Sequence, residues 1–141
     1  MHVGFTGTQK GMTPAQILRL DSELFKIRHQ HPNKDLWFHH GDCIGADEES
    51  HTIAIANGYL IHIHPPCKTD KQAHCKGYDK ISEPYEYLTR NDHIVIVSSI
   101  IFATPAEAVE QKRSGTWYTI RRAQKDARKS LYIILPDGSI T

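Results

Sequence analysis

The stretch that decides the fold is HVGFTGTQKGMTPAQ, residues 2–16. Residues 2–6 predict a short strand, which ends in the loop Gly7-Thr8-Gln9-Lys10-Gly11. The following TPAQ, residues 13–16, predicts a helix start, because Thr is a good N-cap, Pro suits the first helical position and Gln completes a capping box. A strand that leads through a small-residue loop into a capped helix is the opening of a βα unit, the building block of a parallel sheet.

The same alternation continues along the chain. Apolar segments at 36–39, 60–63 and 131–135 predict three further strands. A helix is predicted between the loop 41–47 and Gly58, where a left-handed residue suits the end of a helix. Strands that alternate with helices predict a parallel sheet with helices on both faces.

The second half of the chain is less regular. Residues 67–82 are polar, lack a clear period and predict a long loop, and loops of that length are usually functional or mobile. The β-branched segment 94–102 predicts one long buried strand on propensity alone. Ser114 is a predicted N-cap for a last helix that runs to Lys129.

Charge and composition limit the function. The 17 Lys and Arg residues against 16 Asp and Glu leave a net charge of +1, which counts against neutralisation of a long phosphate backbone. A small anion that is bound by helix N-termini needs no large excess of basic over acidic side chains. No apolar run reaches the roughly 20 residues that span a membrane. With three cysteines and no secretory signal pattern, we expect a cytoplasmic chain with no membrane partner.

Three loops predict the binding site. Residues 7–12, 41–47 and 104–116 each leave a strand end, contain small residues and lead into a helix. In open parallel sheets ligands bind beyond the carboxyl ends of the strands, and helix N-termini favour anions, especially phosphates. Neither the dinucleotide-binding Gly-x-Gly-x-x-Gly nor a P-loop occurs. The loops therefore predict a pocket for a nucleotide or a sugar phosphate.

The same loops carry a family resemblance. The segments GFTGT at 4–8, HGDCIGAD at 40–47 and RSGTWYTIRRA at 113–123 together resemble the SLOG superfamily, which includes the DNA-processing protein DprA and the LOG-type phosphoribohydrolases. The resemblance implies a single three-layer Rossmann-like nucleotide-binding domain over residues 1–141, with a five-stranded, mostly parallel sheet. It also implies a homo-oligomer, a dimer or a larger assembly.

The resemblance changes one element. In this family a helix that bears an arginine precedes the fourth strand, which implies a helix over residues 85–95, a strand at 100–103 and Arg90 near the pocket. Leu88, Asn91 and the residues that follow also fit a 3.6-residue period, so we adopt this assignment in place of the long strand.

The resemblance is compatible with more than one activity. LOG-type hydrolases have a catalytic Glu shortly after Gly-Gly-x-Gly-Thr, whereas here Thr119 takes its place and Arg113-Ser114 replaces the first glycines. We therefore predict binding of a nucleotide or nucleotide-derived molecule, as a sensor or sequestering protein. The alternatives are an N-glycosidase for nucleoside 5′-monophosphates, with Asp42 and Glu107 as candidate catalytic carboxylates, and single-stranded DNA binding through the basic last helix. The small net charge counts against the DNA alternative.

The predicted ligand-binding residues lie in the three loops or next to them. They are Gly7, Thr8, Gln9, His40, Gly41, Asp42, Gly45, Asp47, Arg90, Arg113, Ser114, Gly115, Thr116 and Trp117. Trp117 is interpreted as a stacking platform for a base, with core packing under the last helix as the alternative. His40 is interpreted as a pocket residue that donates to phosphate or serves as an acid or base.

Histidine and cysteine residues raise a metal hypothesis. His62 and His64 on one strand would point both rings to the same face. However, their spacing to His39 and to the cysteines matches no zinc signature. The sequence therefore predicts neither a metal site nor a bound cofactor.

Overall fold

The structure, a computed structural model, describes residues 1–141 as six strands and four helices. The strands are β1 His2–Gly7, β2 Trp37–His40, β3 Leu60–Ile63, β4 Lys80–Ile81, β5 Ile100–Thr104 and β6 Ser130–Ile133. The helices are α1 Pro14–Gln30, α2 Ala46–Ala56, α3 Tyr87–Val97 and α4 Gly115–Gln124. None of the four helices combines the length and the apolar character needed to cross a membrane.

The strands form one parallel sheet in the order β4-β3-β2-β1-β5-β6. Helices α1 and α2 pack together on one face, and α3 and α4 pack together on the other. The predicted α/β class with a three-layer Rossmann-like arrangement is confirmed. Because the chain moves outward from β1 to β4 and then returns to β5 beside β1, the strand order reverses between β1 and β5. Ligands of such sheets bind at this point.

The sheet has six strands, so the prediction of five was wrong. The additional strand, β4, lies in the segment 67–82 that was predicted to be a long loop. It pairs with β3, and the backbone N–H groups of Asp79 and Ser82 donate to carbonyls of β3 at 2.8 and 3.0 Å. Only two exposed residues form this edge strand, which is too short to show an alternating pattern in the sequence.

The core lies on both faces of the central strands. Phe102 of β5 packs with the α1 and α2 side, whereas its neighbours Ile101 and Ala103 pack with the α3 and α4 side. This alternation is the two-residue period of a strand buried on both faces. The larger cluster is on the α1 and α2 side, where Leu20 and Leu24 of α1 are fully buried.

Two predicted elements differ from the structure. Residues 94–97 belong to α3, so the long strand predicted from propensity was wrong and the helix implied by the SLOG resemblance is confirmed. Helix α4 ends at Gln124, before the predicted end at Lys129. The Asp126 carboxylate accepts the Arg128 backbone N–H at 3.0 Å, which favours a turn over a further helical residue.

The predicted start of α1 is confirmed. Thr13 is the N-cap, its hydroxyl accepts the Gln16 backbone N–H at 3.1 Å, and the Gln16 side chain accepts the Thr13 N–H at 3.0 Å. The Gln16 amide also donates to the carbonyls of Pro105 and Ile134, both at 2.9 Å. The capping box therefore also fixes α1 to the carboxyl side of β5.

Candidate functional site

A cavity of about 560 Å³ opens at the carboxyl ends of β1 and β2. Its volume is within the range of small-molecule sites. Five parts of the chain line it. They are residues 5–10, then Gly41, Cys43 and Asp47, the segment around Lys68 to Lys71, the segment from Tyr87 to Ile94, and residues Ala106, Glu107 and Arg113 to Thr116. The cavity lies beside the β1–β5 reversal, where the fold predicts a ligand.

Gly45 allows the first two loops to meet. It precedes α2 with φ +86°, and a Cβ there would lie 2.3 Å from the carbonyl oxygen of Gln9. The Ala46 N–H donates to the Thr8 carbonyl at 3.0 Å. Gly45 was predicted to bind ligand, but it lies outside the cavity lining and instead permits this backbone contact.

Asp47 organises the second loop from inside the protein. One carboxylate oxygen accepts the backbone N–H groups of Gly41 at 3.1 Å and Cys43 at 3.2 Å. Burial raises the pKa of Asp47 to about 6, although Arg90 and these two N–H groups favour the ionised form. Asp47 thus lines the cavity as a carboxyl group that titrates close to neutral pH.

Arg90 of α3 joins the ends of β2 and β3 through its guanidinium group. The group donates to the carbonyl of Gly41, to that of His64 at 3.0 Å and to the Asn91 side chain at 2.7 Å. The side chain is buried, and the ring of Tyr87 lies 5.4 Å from its central carbon. Arg90 lines the cavity, as the family resemblance implied, while most of its donors are engaged by the protein.

The start of α4 is open toward the cavity. Ser114 is the N-cap, and its hydroxyl accepts the Trp117 N–H at 3.2 Å. The first turn of α4 contains no acidic residue. Arg113, Ser114, Gly115 and Thr116 all line the cavity, so the positive end of this helix dipole faces it.

Basic side chains outnumber acidic ones around the cavity. The basic residues are Lys10, Lys68, Lys71, Arg90 and Arg113, and the acidic residues are Asp47, Asp70 and Glu107. Together with the start of α4, this balance favours an anionic ligand.

Asp42 and His40, both predicted to bind ligand, lie outside the cavity lining. Asp42 has φ +55°, and its carboxylate accepts from the Cys75 N–H at 2.9 Å and the Gln72 amide at 3.0 Å. This left-handed backbone turns the carboxylate toward residues 72–75, so Asp42 anchors that segment.

His40 belongs to a closed chain of hydrogen bonds. The Asp42 backbone N–H donates to His40 Nδ1, which leaves Nε2 of His40 to donate to His51 Nδ1 at 2.9 Å. His51 Nε2 then donates to the Lys76 carbonyl at 2.6 Å. Burial lowers the pKa of His40 well below its usual value, so this ring is neutral.

Trp117 is part of the core instead of a base-stacking surface. Its side chain packs with Ala103, Ile120 and Ile133, and it is absent from the cavity lining. Its indole N–H donates to the Glu107 carboxylate at 3.3 Å. The small apolar face of β5 at Ala103 leaves room for the indole beneath α4. Glu107 itself lines the cavity.

Cys43 is poorly suited to act as a nucleophile. Burial raises the pKa of its thiol to about 11, with a further contribution from the charge of Asp47. At neutral pH the group is therefore a thiol, and the thiolate is the reactive form. The Arg90 guanidinium donates to its sulfur at 3.6 Å.

The sequence prediction missed several residues that line the cavity. Lys68, Asp70 and Lys71 come from the segment predicted to be a long loop, and Lys10 and Asn91 are further additions. The unusual length of that segment was the one signal that pointed to function. Its exact side chains depend on long-range contacts, such as the Ile44 N–H donating to the Lys71 carbonyl at 2.9 Å.

Comparisons with known proteins find similarity at the level of the fold. No protein-family model matches the chain, and no curated protein matches its sequence. The structure resembles the molybdenum cofactor binding protein of the phototrophic bacterium Rippkaea orientalis, with a TM-score of 0.68 and 17% identity over 95% of this chain and 76% of that one. It also resembles the molybdenum cofactor carrier protein of Chlamydomonas reinhardtii, with a TM-score of 0.60 and 20% identity over 94% of this chain and 74% of that one.

A third similar structure is the structural-genomics target TM1055, with a TM-score of 0.55 and 13% identity over 86% of this chain and 67% of that one. All three likenesses concern the Rossmann-like fold.

Proposed function

We propose that this protein binds a phosphorylated nucleotide or nucleotide-derived cofactor in the cavity at the carboxyl ends of β1 and β2. The observation that carries the proposal is the start of α4, where Arg113 to Thr116 line the same cavity as the β1 loop. Helix N-termini of this kind bind phosphate groups through backbone N–H groups and the helix dipole. The surrounding basic side chains support an anionic ligand.

The structural neighbours support a small-molecule ligand. Two of them are molybdenum cofactor binding or carrier proteins, and both cover most of this chain. These likenesses support a small-molecule cofactor as the kind of ligand that the cavity takes.

The hydrolase alternative has less support. Asp42 is turned away from the cavity, and Thr119 donates its hydroxyl to the Gly115 carbonyl at 3.0 Å where LOG-type enzymes have a catalytic Glu. Among the predicted carboxylates only Glu107 lines the cavity, and it accepts a hydrogen bond from Trp117. N-glycosidases of the usual kind need two carboxyl groups at the reacting bond.

The DNA alternative also has less support. Three arginines of the basic region around α4 form ion pairs with acidic partners, namely Arg121 with Glu110, Arg122 with Asp92 and Arg128 with Asp126. Trp117, the main candidate for stacking on bases, is buried. Both features reduce the basic and aromatic surface that a single strand would need.

Calorimetric titration of the purified chain tests the proposal. The ligands are nucleoside 5′-monophosphates and the corresponding unphosphorylated nucleosides. We expect binding of at least one phosphorylated compound and about tenfold weaker binding, or none, of its unphosphorylated form, since one charge-assisted contact contributes about 1.4 kcal/mol.

Matched variants locate the bound phosphate. Arg113→Ala removes a cation from the cavity lining and should weaken binding, whereas Arg128→Ala removes an exposed cation that is paired with Asp126 and should leave binding unchanged. Equal effects of the two variants, or no binding of any phosphorylated compound, would contradict the proposal.

A further inference from the structure

Three buried histidines meet on the face of the sheet opposite α1 and α2. Phe38 and Ile61 point into the core beneath those helices, so by the two-residue period of a strand His39 and His62 point the other way. Strand pairing sets His39 of β2 beside His62 of β3, and His64 follows two residues later. The exposed fractions of His39, His62 and His64 are 1%, 8% and 4%.

The ring nitrogens of these histidines converge. One nitrogen from each ring lies within 4.8 Å of the others, and His39 Nδ1 is 2.9 Å from His64 Nε2. In a tetrahedral zinc site with Zn–N bonds near 2.0 Å, ligand nitrogens lie about 3.3 Å apart. The His39–His64 pair is slightly closer than in such a site, and the other ligand nitrogens are at most about 1.5 Å too far apart, so ring rotations and small shifts would let the three share one ion.

The outer nitrogens are already held by other groups. His39 Nε2 lies 2.8 Å from His2 Nδ1, and His62 Nε2 lies 2.6 Å from the Ser82 hydroxyl. This leaves Nδ1 of both rings directed to the cluster. Histidines that bind metals typically use their second nitrogen in such a hydrogen bond, which fixes the tautomer and the ring orientation.

We propose that His39, His62 and His64 form a site for a divalent transition metal such as Zn²⁺, with His2 and Ser82 as supporting partners. Imidazole nitrogens suit zinc, copper and nickel, in contrast to the oxygen ligands preferred by magnesium and calcium. Spacing along the chain predicted no metal, because the three ligands come together only through the register of β2 and β3.

The burial of the cluster is compatible with metal binding. The three rings are 1–8% exposed, and burial disfavours the charged imidazolium form. Neutral imidazole is the form that binds metals. Two cations lie beside the cluster, since Lys80 of β4 is the register partner of His62 and Arg90 donates to the His64 carbonyl.

A second histidine group gives an internal comparison. His40, His51 and Cys75 also bring their ligand atoms together. In both groups the converging nitrogens also contact each other, but the third ligand of this group is a thiol. Burial and the neighbouring Asp42 carboxylate raise the pKa of Cys75, which disfavours the thiolate that binds metals. We therefore assign the ion to the three imidazoles of the His39 group.

Titration of the metal-free chain with ZnCl₂, followed by calorimetry, tests the site, and CoCl₂ reports ligand type through its visible absorption. We expect one ion per chain and a Co²⁺ spectrum of nitrogen ligation without a thiolate charge-transfer band. His62→Gln, at the most exposed of the three ligands, should weaken Zn²⁺ binding at least tenfold. The control His74→Gln, outside the cluster, should leave it unchanged.

Two further variants separate a metal site from a structural cluster. Lys80→Gln removes a positive charge that faces the cluster and should strengthen Zn²⁺ binding a few-fold, whereas a purely structural role of the histidines predicts no effect. Cys75→Ser removes a ligand of the second group and should leave binding unchanged. The proposal is overturned if Zn²⁺ does not bind, if His62→Gln binds as the wild type does, or if Cys75→Ser abolishes binding.

Discussion

Two helices begin at the edge of the cavity, and their first turns are opposites. Helix α2 follows Gly45, has no side-chain cap and carries Asp47, Glu48 and Glu49 in its first turn. Helix α4 follows Ser114, which caps it, and its first turn has no acidic residue. Both helices present the positive end of a dipole, but their surroundings differ in charge.

This difference between the two first turns shows which helix start is available to a ligand. The first N–H of α2 donates to the Thr8 carbonyl, and the Asp47 carboxylate holds the loop in front of it. Hydrogen-bond acceptors of the protein itself thus occupy the start of α2. At α4 the residues Gly115 and Thr116 line the cavity instead. An anion in this cavity is therefore expected at α4, with α2 acting as a fixed wall.

The largest expected effect comes from opening the closed start of α2. Gly45→Ala should destabilise the protein by at least about 3 kcal/mol, since the new Cβ meets the Gln9 carbonyl at 2.3 Å and φ is +86°. The control Gly77→Ala has a similar φ of +77°, but its nearest neighbour is 3.8 Å away, so about 1 kcal/mol is expected. Denaturant unfolding of both variants gives the difference, and equal losses would show that the contact between the loops is unimportant.

The sequence predicted the elements that depend on neighbouring residues. The capping box of α1 and the cap at Ser114 both follow from side chains within three residues of each other. The loop residues Gly7 to Gln9 and Arg113 to Thr116 were expected at the strand ends, and they do line the cavity. Topology and capping, both of which follow from the sequence, thus account for much of the lining.

The remaining features depend on contacts that are distant along the chain. Strand β4 consists of two residues and exists only because β3 offers it a partner. Asp42 resembles a pocket residue in the sequence, yet Gln72 and Cys75 bind its carboxylate from 30 and 33 residues away. Trp117 is buried because Ala103 on β5 leaves space for it. The spacing of residues along the chain does not predict such distant partners.

The second prediction concerns a variant in which the start of α4 carries an acidic residue, as the start of α2 does. Gly115→Glu adds a carboxylate at the first position of α4, where a Cβ meets nothing closer than Asn91 at 4.0 Å. Acidic residues near a helix N-terminus stabilise the helix by about 0.3–1 kcal/mol, so folding should be maintained. Binding of a phosphorylated ligand should fall at least about tenfold relative to the neutral control Gly115→Gln. Equal affinities of the two variants, measured by calorimetry, would place the anion elsewhere.

The smallest expected effect comes from neutralising Asp47 in the first turn of α2. Because burial raises the pKa of Asp47 to about 6, its negative charge disappears as the pH falls through that value. Anion binding should therefore strengthen about threefold between pH 7.5 and pH 5 in the wild type relative to Asp47→Asn, whose amide oxygen still accepts from Gly41 and Cys43. Taking the ratio of the two affinities at each pH cancels the titration of the ligand itself.

Stability should follow the same titration, with a sign fixed by the raised pKa. The folded state takes up the proton at higher pH than the unfolded chain, so Asp47 contributes a free energy of unfolding that is complete below about pH 4 and is lost as the pH rises through about 6. Asp47→Asn should lack this component, and its unfolding free energy should change less between pH 4 and pH 7 than that of the wild type. Parallel pH profiles of the two proteins would mean that the pKa of Asp47 is not raised by folding, and Asp47 would then keep its negative charge between about pH 5 and pH 7.5.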